Sequence, residues 1–172
     1  MDDAVFFQIL ETIEEILKET SFAGFDNIPY LPADSIQIRD GLFDTRDTDE
    51  EQWKDEPVPA MFITPATEVS RPAEEGTNIE DDITYRVLVQ ICDHEEDRFN
   101  RDRLRTHLRW VQDISRLFHG KDWTVLDFDG GCPVISWAQN TRLIDPSAFW
   151  KHNYFVRGTI VDILSREPRT IT

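Results

Sequence analysis

The chain of 172 residues contains little cysteine and no long apolar run. Its two cysteines, Cys92 and Cys132, are too few for the disulfide framework of a small secreted domain. No apolar segment approaches the roughly 18 residues that a membrane-spanning helix needs. The first residues lack the basic region of a signal peptide. We therefore expect a soluble protein with free thiols in a reducing compartment and no membrane partner.

Lysine is also scarce, with 4 residues against 14 arginines, whereas 20 aspartates and 14 glutamates bring the net charge to −16. A surface this negative repels nucleic-acid phosphates and anionic lipids, which argues against a DNA-coating or membrane-surface role. An Asp-rich, Lys-poor surface stays soluble where salt screens its self-repulsion, which favours a high-salt cytoplasm. An acidic protein from an ordinary cytoplasm is the alternative.

Apolar residues recur at helical spacing in two segments, residues 2–20 and 97–119, which predicts two amphipathic helices. The first has an apolar stripe formed by Val5, Phe6, Ile9, Leu10, Ile13, Ile16 and Leu17. The predicted inner face of the second contains Leu104, His107, Leu108, Val111, Ile114, Leu117 and Phe118. Gly120 is expected to end this second helix.

Period-two alternation predicts strands around a polar connection. Strands are predicted at residues 58–65 and 83–92, and a hairpin arm that extends from them is predicted at residues 66–82. Further strands are expected at 123–128, 134–137 and 152–164, the first two of them joined by a Gly-Gly turn.

The predicted fold is a single α+β domain over residues 1–172, with an antiparallel sheet of about four to five strands. Both helices are expected on one face of this sheet. The other face, predicted to include Leu88, Phe155 and Val161, favours cover by a partner chain. Residues 40–57 are predicted to be an acidic loop, and residues 166–172 a flexible tail.

One segment resembles a catalytic motif. VLDFDGG, residues 125–131, is similar to the first motif of haloacid-dehalogenase phosphatases, in which Asp127 would be the nucleophile and Asp129 the general acid. The acidic pair and alternating helices and strands that this family has downstream are missing. Cys92 and His94 are close together in the sequence, but the second close pair that is typical of a structural zinc site is missing. We expect no enzyme activity, no metal and no cofactor.

The second predicted helix has a row of basic residues within about 80° of one another on a helical wheel. They are Arg98, Arg101, Arg105, Arg109 and Arg116. They form either a solvated face, partly neutralised by Asp102 and Asp113, or a docking face for an acidic surface. The second interpretation predicts a subunit interface with the acidic loop of a neighbouring copy, in which Trp53 is an anchor.

The order of these features resembles the tail terminator proteins, also called tail-completion or neck proteins, of long-tailed bacterial and archaeal viruses. The resemblance extends from residue 2 to about residue 164. It rests on the leading helix, the VPAMFITP strand, the polar arm, the ITYRVLVQI strand, the RLRTHLRWVQDISRLF helix and the terminal hairpin strands.

This resemblance implies a virion protein at the neck, assembled in the host cytoplasm, that forms a homohexameric ring. Such a ring caps the tail tube, binds the tube protein and the head–tail connector, and lets DNA pass through its lumen without sequence-specific binding. We expect the arm to contact the tail tube through Glu68, Arg71, Glu74, Glu75, Asn78 and Glu80. The alternatives are another neck or head-completion ring protein and an acidic inhibitor that mimics DNA.

Overall fold

The structure is a computed structural model that describes residues 5–24, 31–39, 59–72, 80–94, 101–128, 132–140 and 154–168. Its helices are α1 (Val5–Glu19) and α2 (Arg101–Phe118), and a short 3₁₀ turn spans Ala33–Ser35. Its strands are β1 (Ile36–Ile38), β2 (Ala60–Pro72), β3 (Glu80–His94), β4 (Cys132–Asn140) and β5 (Tyr154–Pro168).

Both predicted helices are present, and α1 buries its predicted stripe. The inner face of α2 differs from the prediction at two positions, because Leu104 and Leu108 are 38% and 41% exposed. Trp110 is fully buried instead, and its Nε1 donates a hydrogen bond to the carbonyl oxygen of Ala23 at 3.1 Å. Burial of this large ring contributes to the rotation of α2, in which the two leucines lie outside the core. As expected, α2 ends before Gly120, whose φ of 71° suits a residue without a Cβ.

The five strands form one open sheet in the order β1-β2-β3-β5-β4. β1 pairs with β2 in parallel, while the other neighbours are antiparallel, so the sheet is mixed rather than wholly antiparallel as predicted. A parallel neighbour needs a crossover connection of about a dozen residues or more, and the long stretch between β1 and β2 provides that length.

Both helices pack on the same face of the sheet, which confirms the predicted α+β arrangement. A single core contains apolar residues of both helices together with inward residues of β2, β3 and β5, among them Ile63, Val89 and Ile163. Val161 belongs to this core and is fully buried, so its predicted place on the opposite face is wrong. Strand alternation explains the difference, because Val161 pairs with the inward-facing Val87.

The predicted strand at residues 123–128 does not form. Only Asp122 makes an isolated bridge, to Ile135, and the chain then turns so that the Leu126 amide donates to the Trp123 carbonyl at 3.0 Å. Trp123 is buried, and its Nε1 donates to the Ser136 hydroxyl at 2.8 Å. The indole is therefore an anchor for a turn, and β5 takes the predicted hairpin position beside β4.

The predicted arm is wider than a two-stranded hairpin. β2 and β3 pair as far as Pro72 and Asp81, and β5 runs beside β3 along its whole length from His94 to Glu80. β5 thus continues beyond its predicted end, through Arg166 to Pro168. The outer part of β3 lies between two strands, which gives it hydrogen-bonded neighbours on both sides.

Candidate interaction surfaces

A buried carboxylate fixes α2 to the sheet. Asp93, near the end of β3, is fully buried. Arg103 donates two hydrogen bonds to it, from Nε to Oδ2 at 2.6 Å and from Nη2 to Oδ1 at 2.5 Å. The buried His107 approaches the same carboxylate, with 2.7 Å between its Nε2 and Oδ2. An ionised carboxylate only accepts, so Nε2 carries the proton here.

Burial alone would raise the pKa of Asp93, but the hydrogen bonds from His107 and Arg103 outweigh it, and the pKa lies below its ordinary value of 3.8. Asp93 is consequently ionised at neutral pH and holds two groups of α2 at once. The pairing sets the rotation of α2 and decides which residues of the helix face outward.

Sequence reasoning missed both Asp93 and Arg103, although two signals were present. Asp93 continues the inward alternation of β3 two residues after Ile91. Arg103 falls outside the predicted arginine stripe, on the same side of the helical wheel as Trp110. A charged residue at an inward strand position and another on the buried side of a helix together indicate a buried ion pair.

The opposite side of α2 presents an arginine face, which we define as Arg101, Arg105, Arg109 and Arg116 with the exposed Leu104 and Leu108 beside them. The side chains of Arg105, Arg109 and Arg116 are 61%, 48% and 78% exposed. These predicted interface residues therefore do lie together on one outward surface. Arg98 and Trp53, the other two predicted interface residues, lie outside the described residues.

Two aspartates lie beside the arginine face and form ion pairs with its members. Arg105 lies 3.4 Å from Asp102, while Arg109 and Arg116 share Asp113 at 3.8 and 3.7 Å. Exposed pairs of this kind contribute little stability, roughly 0–1 kcal/mol each. An open groove lined in part by Leu108 runs along the same face. Apolar contact area and cationic groups are thus available side by side.

The outward side of α1 has the opposite charge. We define this acidic face as Glu11, Glu14, Glu15 and Glu19 with the exposed Phe7. Phe7 is 45% exposed, and Glu14 forms an ion pair with Lys18 at 3.0 Å. An acidic helix face with one exposed aromatic ring is complementary in chemistry to the arginine face.

The predicted tail-tube contacts fall at the outer end of the sheet. Glu68 and Arg71 are on β2, where their backbones pair with Tyr85 and Asp82 of β3. Glu80 begins β3 and is 48% exposed, 4.0 Å from Arg166. The remaining predicted contacts, Glu74, Glu75 and Asn78, lie outside the described residues.

Side-chain pairs join β3 to β5 in this outer region. Arg166 donates to Asp82 at 3.1 Å, and the Tyr85 hydroxyl donates to Glu167 at 2.7 Å. These contacts cross from one strand to the next and strengthen the ladder between them. The outer end is therefore a braced three-stranded region.

The sheet face away from the helices is partly apolar. Ala60, Phe62, Cys92 and Val156 form a small buried cluster there. Farther along the same face, Trp137 of β4 is 44% exposed. Its exposure follows from register, because Trp137 pairs with Asp162, on the side opposite the core residue Val161.

The predicted catalytic motif lacks the strand that would deliver its nucleophile. Asp127 is exposed in the non-strand segment after Trp123, and Asp129 lies outside the described residues. Within the described residues, no group of three or more His, Cys, Asp or Glu side chains could hold a metal ion. In the same part of the chain, neither helix is long and apolar enough to cross a membrane.

Comparison with known proteins gives no family. No protein-family model matches the chain, and neither does any curated protein. Among solved structures, the chain is similar to one from a structure described as "Virion of native gene transfer agent (GTA) particle", with 11% sequence identity and a TM-score of 0.45. The match covers 95% of this chain and 92% of that chain. A TM-score of this size does not establish a common fold.

Proposed function

We propose that the chain is a structural, non-enzymatic protein of a tailed virus particle, and that it works as a ring-forming tail terminator at the neck. In this role it caps the tail tube and connects it to the head, with DNA passing through the lumen. The observation that carries the proposal is the arginine face, a cationic surface kept outward on a chain whose net charge is −16. Such a surface suits contact with an acidic protein partner.

The order of elements supports the same role. A leading helix, a long β-hairpin, a second helix and two terminal strands occur in the order on which the resemblance to tail terminators rests. Among the described strands, β1 and β4 are the outermost, and an outermost strand can offer backbone groups to a neighbour.

The charge of the chain fits a DNA conduit. A ring of strongly acidic subunits repels phosphates, so DNA can slide through it without being held. We expect the purified protein to leave duplex DNA unretarded in a gel at low salt, the condition that most favours phosphate binding. A stable complex would contradict the conduit role.

Negative-stain electron microscopy of the purified protein tests the ring directly, together with its mass by light scattering. Rings of about six subunits are expected. A monomer would contradict the proposal and favour the acidic DNA-mimic inhibitor. Rings that bind head connectors but leave tail-tube ends uncapped would identify another neck ring instead.

The scarcity of lysine supports assembly in a high-salt cytoplasm. If the surface needs salt to screen its self-repulsion, dialysis from molar salt to about 0.1 M should reduce the helical signal in circular dichroism. An unchanged spectrum and melting temperature would indicate an ordinary cytoplasm.

A further inference from the structure

We propose that the arginine face of one subunit binds the acidic face of α1 on the next subunit. This inference rests on the proposed function, because it names the contact by which the ring is built. It replaces the acidic loop at residues 40–57 as the expected partner of the arginines.

The first argument is the position of the helices in the layer. α1 packs on β1 and β2, whereas α2 packs on β4 and β5. These strand pairs lie at opposite ends of the sheet order. The two charged faces therefore occur at opposite ends of one helical layer. Successive copies joined head to tail can bring them together, and such heterologous contacts close into rings when the rotation between copies permits.

The second argument is charge complementarity. Glu11, Glu15 and Glu19 are exposed on α1, and Arg105, Arg109 and Arg116 are exposed on α2. A contact between two copies of the acidic face, or between two copies of the arginine face, would oppose like charges. Only the mixed contact pairs opposite charges, so a dimer in which each face meets its own copy is disfavoured, and the mixed contact can be repeated head to tail.

The third argument is the register of the apolar groups. Phe7 precedes Glu19 by the same number of residues that separates Leu104 from Arg116, a rise of about 18 Å in each helix. A parallel alignment therefore places Phe7 level with Leu104 when Glu19 reaches Arg116, and Leu108 lies one turn farther along, level with Glu11. The antiparallel alignment of the same span would set Phe7 against Arg116 and both leucines against carboxylates, Leu104 against Glu19 and Leu108 against Glu15.

Two charge-reversed variants test the contact. The acidic variant, R105E/R109E, has acidic outward faces on both helices, and the basic variant, E11R/E15R, has basic ones. Each variant alone should fall from the ring mass to that of a single 20.1 kDa subunit in light scattering. Mixed in equal amounts, they should regain the ring mass, because each face again meets its opposite.

All substituted positions are exposed or half-exposed, so the fold should be retained, and circular dichroism checks this. If a double variant does not fold, the single reversals R109E and E11R replace it. The control is D127R, which reverses a charge on the exposed segment after Trp123 and should leave the ring intact.

The outcomes separate this contact from the proposed function. A monomeric wild-type protein overturns both. A wild-type ring whose mass neither variant changes overturns the contact alone, and so does a pair of monomeric variants that do not reassemble when mixed. Loss of the ring in R105E/R109E but not in E11R/E15R would also overturn it, since the partner of the arginines would then lie elsewhere, for example in the loop at residues 40–57.

Discussion

Arginines on one helix serve two purposes, and Arg103 and Arg109 show the difference. Arg103 makes two short hydrogen bonds to a fully buried carboxylate, and its side chain is 18% exposed. Arg109 lies six residues along the same helix and about 120° around it, 48% exposed and 3.8 Å from Asp113. The environment decides what an arginine contributes, because burial removes the competing water and fixes both partners. Arg103 holds the fold, whereas Arg109 lies on the outward surface of the helix.

The largest expected effect is on stability when the buried pair is broken. Arg103→Ala removes two hydrogen bonds from the buried Asp93 and leaves its charge without the guanidinium, so it should lower the free energy of unfolding by about 3–5 kcal/mol. Arg105→Ala, the matched exposed control, should change it by less than about 0.5 kcal/mol. Urea unfolding measures both. Equal losses in the two variants would remove the distinction between the two kinds of arginine.

A charge-conserving substitution sharpens the comparison. Arg103→Lys keeps the positive charge but cannot donate to both carboxylate oxygens in the planar geometry of a guanidinium. We expect a loss of about 1–3 kcal/mol in urea unfolding. Arg109→Lys should be neutral, since an exposed pair does not depend on that geometry. A neutral Arg103→Lys would show that charge alone holds Asp93.

The pH dependence of stability provides a third test. The pKa of Asp93 is lower in the folded protein than its ordinary value of 3.8, so its ionised form stabilises the fold above that pH. This contribution is lost as the pH falls through the folded pKa. The difference in unfolding free energy between wild type and Asp93→Asn should therefore be constant above about pH 5 and shrink below about pH 4.

The control for this pH series is Arg105→Ala, which should follow the wild-type profile throughout. A difference between wild type and Asp93→Asn that stays constant down to pH 2 would contradict the assigned role of the carboxylate.

The smallest expected effect concerns salt. The contribution of Arg109 to the stability of a single subunit should vanish between 0.1 and 1 M salt, because an exposed pair is screened over a few ångströms at the higher concentration. The contribution of Arg103 should persist, since screening hardly reaches a buried pair. Urea unfolding of Arg109→Ala and Arg103→Ala, each measured at both salt concentrations beside the wild type, checks this. Equal salt sensitivity would contradict the difference in burial.

Much of the candidate site could be predicted from the sequence, because helical periodicity depends only on local spacing. The exposed arginines of α2 were found on one face in this way, and so was the buried side of α1. The ion pair between Asp93 and Arg103 was not predicted, because the two residues belong to different elements. Leu104 and Leu108 were assigned to the core for a related reason. An apolar stripe in the sequence does not show that burial of Trp110 turns one edge of the stripe toward the surface.

The sequence by itself determined both helices, the long strands β3 and β5 and the α+β class, because each depends on a repeating pattern within one segment. Only the tertiary structure decided which elements lie next to one another. β1 joins the sheet in parallel, β4 pairs with β5 instead of with residues 123–128, and α2 is rotated by Asp93 and Trp110. Each of these choices depends on contacts between residues far apart in the chain, where packing and burial, rather than local periodicity, set the free energy.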